Sequence, residues 1–129
     1  MSHRIPSIFI APSDLHGTGV FAGEDIVKDS IIEICPIIFL PEDQIELIKK
    51  TVLNNYYFEW GKDLRSGALA LGYGSIYNHS VESNAIYEID INADTISFYT
   101  IRDIVAGEEI TINYNGSPDN KAKVWFEMD

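Results

Sequence analysis

Short runs of isoleucine, valine, tyrosine and phenylalanine, separated by turn residues, limit most strongly how this chain can fold. They cover Ser7 to Ala11, Val20 to Ala22, Ser30 to Pro36, Tyr56 to Trp60, Ala68 to Leu71, Ala85 to Ile91, Thr95 to Thr100 and Glu109 to Ile112. β-branched and aromatic side chains suit a pleated, half-buried surface, and the Gly, Asn and Asp between the runs favour chain reversal. Ala85 to Ile91 and Thr95 to Thr100, joined through Asn92-Ala93-Asp94, form a predicted hairpin. One helix is expected to start near Pro41, whose fixed φ suits a first turn, with Glu42 and Asp43 at the positive end of its dipole. Ile45, Ile48 and Val52 then share a face. The pattern predicts a mostly β domain with one or two short helices, without internal repeats or low-complexity segments.

A chain of 129 residues with 46% hydrophobic content is the size of a single domain, residues 1–129, around one core. No apolar run reaches the length of a membrane span, and Met1-Ser2-His3-Arg4-Ile5-Pro6 lacks the basic and apolar blocks of a signal peptide. A soluble intracellular protein is expected, nuclear or cytoplasmic according to its source. The single cysteine, Cys35, fits that compartment and provides no thiolate cluster for zinc, so no metal site is expected. Twenty acidic and nine basic residues give a net charge of -11. Such a surface repels nucleic-acid phosphates and attracts cationic partners, although an acidic balance also serves solubility alone.

Three segments concentrate polar chemistry. Gly17-Thr18-Gly19 precedes Val20-Phe21-Ala22, placing glycines where backbone turns into strand. That is compatible with a hairpin turn or with close ligand approach. Tyr77-Asn78-His79-Ser80 sets an amide beside an imidazole, as a polar turn or as a ligand-binding edge. Gly107-Glu108-Glu109-Ile110-Thr111-Ile112-Asn113-Tyr114 reads as a turn and a buried strand ending in an aromatic residue.

In this order, the three segments resemble those of the SET-domain protein-lysine methyltransferases, and in particular the compact viral or bacterial members without flanking zinc regions. The resemblance implies the SET, or β-clip, fold: several small curved sheets with a knot-like C-terminal segment that brings Asn78-His79 beside Tyr114. It also implies S-adenosylmethionine as methyl donor, S-adenosylhomocysteine as product, and a lysine-bearing basic protein, such as a histone, as substrate. Gly17, Thr18, Gly19, Asn78 and His79 are carried over as cofactor-binding residues, and Tyr114 as the catalytic phenol. Val81 and Ser83 depart from the cysteine and proline usual after the Asn-His motif, whereas Asn84 is retained. Tyr56 resembles the channel tyrosine of small SET proteins, and Tyr73 lies in the run leading into the Asn-His motif; with Ile112 they are assigned to substrate. Many members carry Phe or Tyr at the position of Ile112, and an apolar residue there implies transfer of more than one methyl group. In place of a zinc cap, Trp125 or Phe126 is expected to cover the adenine and channel, or to anchor the C-terminus. Binding to nucleic acid or membrane is not expected, and a homodimer is. The alternative to an enzyme is an inactive SET-like acidic module that binds basic peptides.

Overall fold

The β-branched and aromatic runs do become strands, and their pairing separates them into two sheets. The computed structural model describes residues 6–114. In chain order the elements are β1 (Ile8–Pro12), β2 (Thr18–Ala22), β3 (Ile31–Leu40), α1 (Glu42–Ile48), a 3-10 turn (Val52–Asn55), β4 (Tyr57–Trp60), β5 (Ser66–Ala70), β6 (Asn78–His79), β7 (Ala85–Asp90), β8 (Thr95–Thr100) and β9 (Glu109–Ile112). A four-stranded sheet has the order β1-β2-β9-β6, and a five-stranded sheet the order β4-β5-β3-β8-β7.

The expected hairpin is present, running antiparallel from Ala85↔Thr100 to Asp90↔Thr95. Asp94 takes a positive φ of 55° in its turn, and Ala93 N–H donates to the Asp90 carboxylate at 3.0 Å. Ile91 belongs to that turn rather than to the strand. β8 alternates strictly, so that Ile96, Phe98 and Thr100 point inward. Phe98 is fully buried, stacks on Tyr77 with ring centroids 4.5 Å apart and meets Phe58 edge-on at 6.3 Å. Burying an aromatic side chain of this size stabilises by about 1.5–3 kcal/mol. Ile32, Cys35, Ala68, Ala70 and Ile96 fill the space around it.

The helix is shorter than its apolar spacing predicts. Pro41 is its N-cap in extended conformation, just outside the first turn. Ile45 is buried, and its terminal methyl lies near the position that a Cβ on Gly67 would take. Val52 does not share the helical face: it lies in the 3-10 turn and is 79% exposed. Thr51 causes the break, because its extended backbone interrupts the helix while its side-chain oxygen accepts from Leu53 N–H at 3.2 Å and caps the next turn.

β9 has the decisive position. It pairs antiparallel with β2 (Val20↔Ile110) and parallel with the two-residue β6 (Asn78↔Thr111, His79↔Ile112). Parallel neighbours require a crossover. Here the chain supplies it by leaving for the five-stranded sheet, forming the β7-β8 hairpin there and returning. The polar segments 17–19, 78–79 and 109–114 thereby meet at one end of the four-stranded sheet.

Candidate active site

Tyr114 follows the end of β9 and is held at both ends. Its backbone N–H donates to His79 Nδ1 at 3.0 Å, and its hydroxyl donates to the Tyr77 carbonyl at 2.6 Å. The His79 and Tyr114 rings are 5.2 Å apart. Because Nδ1 accepts from the backbone, the imidazole is neutral and carries its proton on Nε2. His79 thus acts as a bracket for the tyrosine rather than as a base aimed at a substrate.

Tyr114 remains 36% exposed, and its hydroxyl bond is partly buried. Burial, then the nearby Tyr56 phenol and Glu109, push the Tyr114 pKa up to about 12. The phenol therefore remains a protonated donor over the working range of an enzyme. The Tyr56 phenol lies near enough to act electrostatically on that of Tyr114. Tyr56 is exposed and sits where the 3-10 turn passes into β4. Ile112, two residues before Tyr114, is 1% exposed and packs in the core. Tyr73 packs half-buried against the core beside Tyr77, with its backbone N–H on Glu33 at 3.2 Å.

Asn78 ties the rest of the site together. Its Nδ2 donates to the His16 carbonyl at 2.9 Å, the Thr18 carbonyl at 3.2 Å and Glu109 Oε2 at 2.9 Å. The other Glu109 oxygen accepts from Ser13 Oγ at 2.7 Å, and Ser13 Oγ in turn accepts from Leu15 N–H at 2.9 Å. The two glycines of the loop consequently differ. Gly19 has no room for a side chain, since a Cβ there would collide with the Glu109 carboxylate and touch Asn78 Nδ2. Gly17 has a positive φ of 46° and nothing within 4 Å of a Cβ position, so the loop is open on its side.

Asn84 is 1% exposed and clamps β9 from the far side. Its Nδ2 donates to the Glu109 carbonyl at 2.8 Å, and its Oδ1 accepts from Thr111 N–H at 2.8 Å. Glu108, at the turn before β9, accepts from Arg102, and that bond foremost holds its carboxyl below the usual range. Sequence reasoning placed Glu109 only as a strand residue. Nothing in a Gly-Glu-Glu sequence shows that the second carboxylate is the hub joining Ser13, Asn78 and the loop around Gly19. Trp125 and Phe126 lie outside the described residues.

A small, curved β fold that gathers a glycine loop, an Asn-His pair and a C-terminal tyrosine at one sheet end defines the SET class, and comparison with known proteins agrees. Residues 17–115 match the SET domain. Over 96% of this chain and 82% of the relative, the sequence is 36% identical to the histone-lysine N-methyltransferase specific for H3 lysine-37 of Schizosaccharomyces pombe. The solved structure of a proposed histone methyltransferase from Plasmodium falciparum is 36% identical, with a TM-score of 0.67 over 88% of this chain and 96% of that one. Chaetomium thermophilum Polycomb Repressive Complex 2, autoinhibited and bound to S-adenosylmethionine, shares the fold at 23% identity, with a TM-score of 0.72 over 86% of this chain and 15% of that one. The chain belongs to the SET-domain family and, with it, to the protein-lysine N-methyltransferases.

Proposed function

We propose that this protein transfers methyl groups from S-adenosylmethionine to a lysine of a basic protein such as a histone tail, with Tyr114 as the catalytic phenol. The observation that carries the proposal is the double hold on Tyr114, His79 Nδ1 on its N–H and the Tyr77 carbonyl on its hydroxyl, with Tyr56 close beside it. The residues present suit the cofactor: the side of Gly17 is open where a Cβ would otherwise stand, and the loop carrying it is fastened to Asn78, adjacent to the Tyr114 bracket. Gly17, Thr18, Gly19, Asn78 and His79 would form that cradle. When bound, S-adenosylmethionine supplies an electrophilic methyl on a sulfonium centre.

The residues of the chain then prepare the acceptor. A free lysine amine has a pKa of about 10.4, so attack requires loss of a proton, which desolvation in an aromatic channel favours. Tyr56 and Tyr114 form that channel, and the buried Ile112 backs it from the core side. Protonated over the working range, Tyr114 places the negative end of its O–H dipole toward the positive charge that develops near the amine, while alignment supplies much of the rate. No carboxylate pair is needed, since Glu109 is occupied as a structural hub. The net charge of -11 favours a basic substrate, with an on-rate that falls as salt rises.

S-adenosylmethionine is expected to raise the melting temperature, because a ligand that binds only the native state stabilises it. No stabilisation, together with no transfer to histones, would favour the inactive peptide-binding module. Ile112 cannot hold a water against the amine, so di- or trimethylated lysine is expected; mass spectra with only a single added methyl at saturating enzyme would refute that part.

A further inference from the structure

Tyr77 joins two hydrogen bonds. Its carbonyl accepts the Tyr114 hydroxyl at 2.6 Å, and its own phenol donates to Glu33 Oε1 at 2.7 Å. Glu33 on β3, in the five-stranded sheet, is thereby linked to the tyrosine at the end of the other sheet. Tyr77 is 1% exposed and stacked on Phe98. The second Glu33 oxygen accepts the Tyr73 backbone N–H at 3.2 Å. The loop is wound so closely on this carboxylate that a Cβ at Gly72, which has a φ of +63°, would come within 2.5 Å of it. Burial and Glu33 hold the Tyr77 phenol far above its usual range, so it stays a donor.

One carboxylate therefore fixes both a backbone N–H within the loop and the side chain of the residue that ends it. Phe98 and Glu33 hold the Tyr77 ring and the same carboxylate holds the Tyr73 N–H, so the segment that carries the Tyr77 carbonyl is anchored at two points. A phenylalanine at 77 would fill similar space without needing a hydrogen-bond partner for a buried hydroxyl. The phenol–carboxylate bond of this half-buried pair is thus not explained by packing.

We infer that Glu33 is a positioning residue for methyl transfer: by clamping the Tyr77 phenol and the Tyr73 backbone it fixes the Tyr77 carbonyl, and that carbonyl holds the Tyr114 hydroxyl at the reacting amine. The inference rests on Tyr114 being the catalytic phenol proposed above.

A double-mutant cycle tests it. Wild type, Tyr77→Phe, Tyr114→Phe and the double variant are assayed on histone substrate, with rates normalised to the S-adenosylmethionine-binding fraction measured by titration. Tyr77→Phe is expected to lower kcat about tenfold with both KM values within about twofold, the size of one lost hydrogen bond to a charged partner. In the Tyr114→Phe background the same change is expected to cost less than about twofold, because no hydroxyl remains for the carbonyl to hold. Glu33→Gln, which keeps an acceptor for the phenol, is expected to fall between wild type and Tyr77→Phe, and it serves as the probe if Tyr77→Phe does not fold. Equal losses in both backgrounds would mark a general scaffold effect and overturn the inference. Unchanged kcat in Tyr77→Phe and Glu33→Gln, with Tyr114→Phe still impaired, would also overturn it and leave the catalytic assignment standing. No methyl transfer by the wild type would remove both.

Discussion

The two sheets bury different chemistry. In the five-stranded sheet the inward residues Ile32, Cys35, Ala68, Ala70, Ile96 and Phe98 are apolar or weakly polar. Among the described residues the buried polar ones are Asn78, His79, Ser83, Asn84, Thr100, Thr111 and Asn113, and of these only Thr100 belongs to a strand of that sheet. The rest lie on or beside β6 and β9. Buried polar groups cost free energy unless their bonds are made, and when made they specify geometry more than they add stability. Both sheets feed the apolar core, the four-stranded one through Val20, Ala22, Ile110 and Ile112, but that sheet also spends some stability on placing backbone and side-chain groups around Tyr114.

The largest effect expected from this contrast lies in the apolar sheet. Ile96→Ala should cost about 2–5 kcal/mol in a urea titration, by lost burial and a cavity, with kcat per folded molecule within about twofold of wild type. A large loss of turnover in the folded fraction would break the separation. Asn84→Ala strands the Glu109 carbonyl and the Thr111 N–H in the interior, with an expected cost of about 2–3 kcal/mol, and it should also depress turnover by loosening β9. Asn84→Asp, which keeps the acceptor but loses the donor, is expected to fall in between; turnover equal to wild type in both would mean that β9 does not need this clamp.

Smaller effects discriminate within the site. Gly19→Ala forces Glu109 out of its bonds to Ser13 and Asn78, at an expected cost of about 1–3 kcal/mol, and should weaken S-adenosylmethionine in a titration. Gly17→Ala has space and meets only backbone strain of about 1–2 kcal/mol. Greater destabilisation at Gly17 than at Gly19 would contradict the packing described for the loop. A last effect shows only at alkaline pH. Burial, then Glu33, pushes the Cys35 thiol up to about 12 from an ordinary 9.0. Since the folded pKa is raised, the folded state binds more protons between those values; this contribution is intact below pH 9 and lost as pH rises through about 12. Denaturation midpoints measured across alkaline pH should fall, and Cys35 should resist disulfide reagents in the native protein at pH 8, reacting only on unfolding. Rapid native labelling would show the apolar sheet to be looser than its packing indicates.

Legibility in the sequence follows the same division. Alternating runs such as Thr95 to Thr100 identified the hairpin because periodicity of two is a local signal. The helix was overextended to Val52 because apolar spacing does not register that Thr51 prefers to cap a new turn. β6 escaped prediction, since two polar residues become a strand only when β9 arrives beside them. Tyr114, Asn78 and the glycine loop were recognisable through their resemblance to a family, yet the roles of Glu109 and Glu33 were not. A carboxylate that organises a buried site looks the same in sequence as one that faces water, and Glu33 stands in a run of apolar residues with no marker of its partner at position 77.

The most direct test is transfer of labelled methyl from S-adenosylmethionine to histones by the wild type and by Tyr114→Phe, with cofactor-induced thermal stabilisation measured for both. The expected result is label on lysine, a loss of about 10² or more in the variant, and stabilisation retained by both proteins. Turnover unchanged in Tyr114→Phe would contradict the assignment of that phenol and the site built around it.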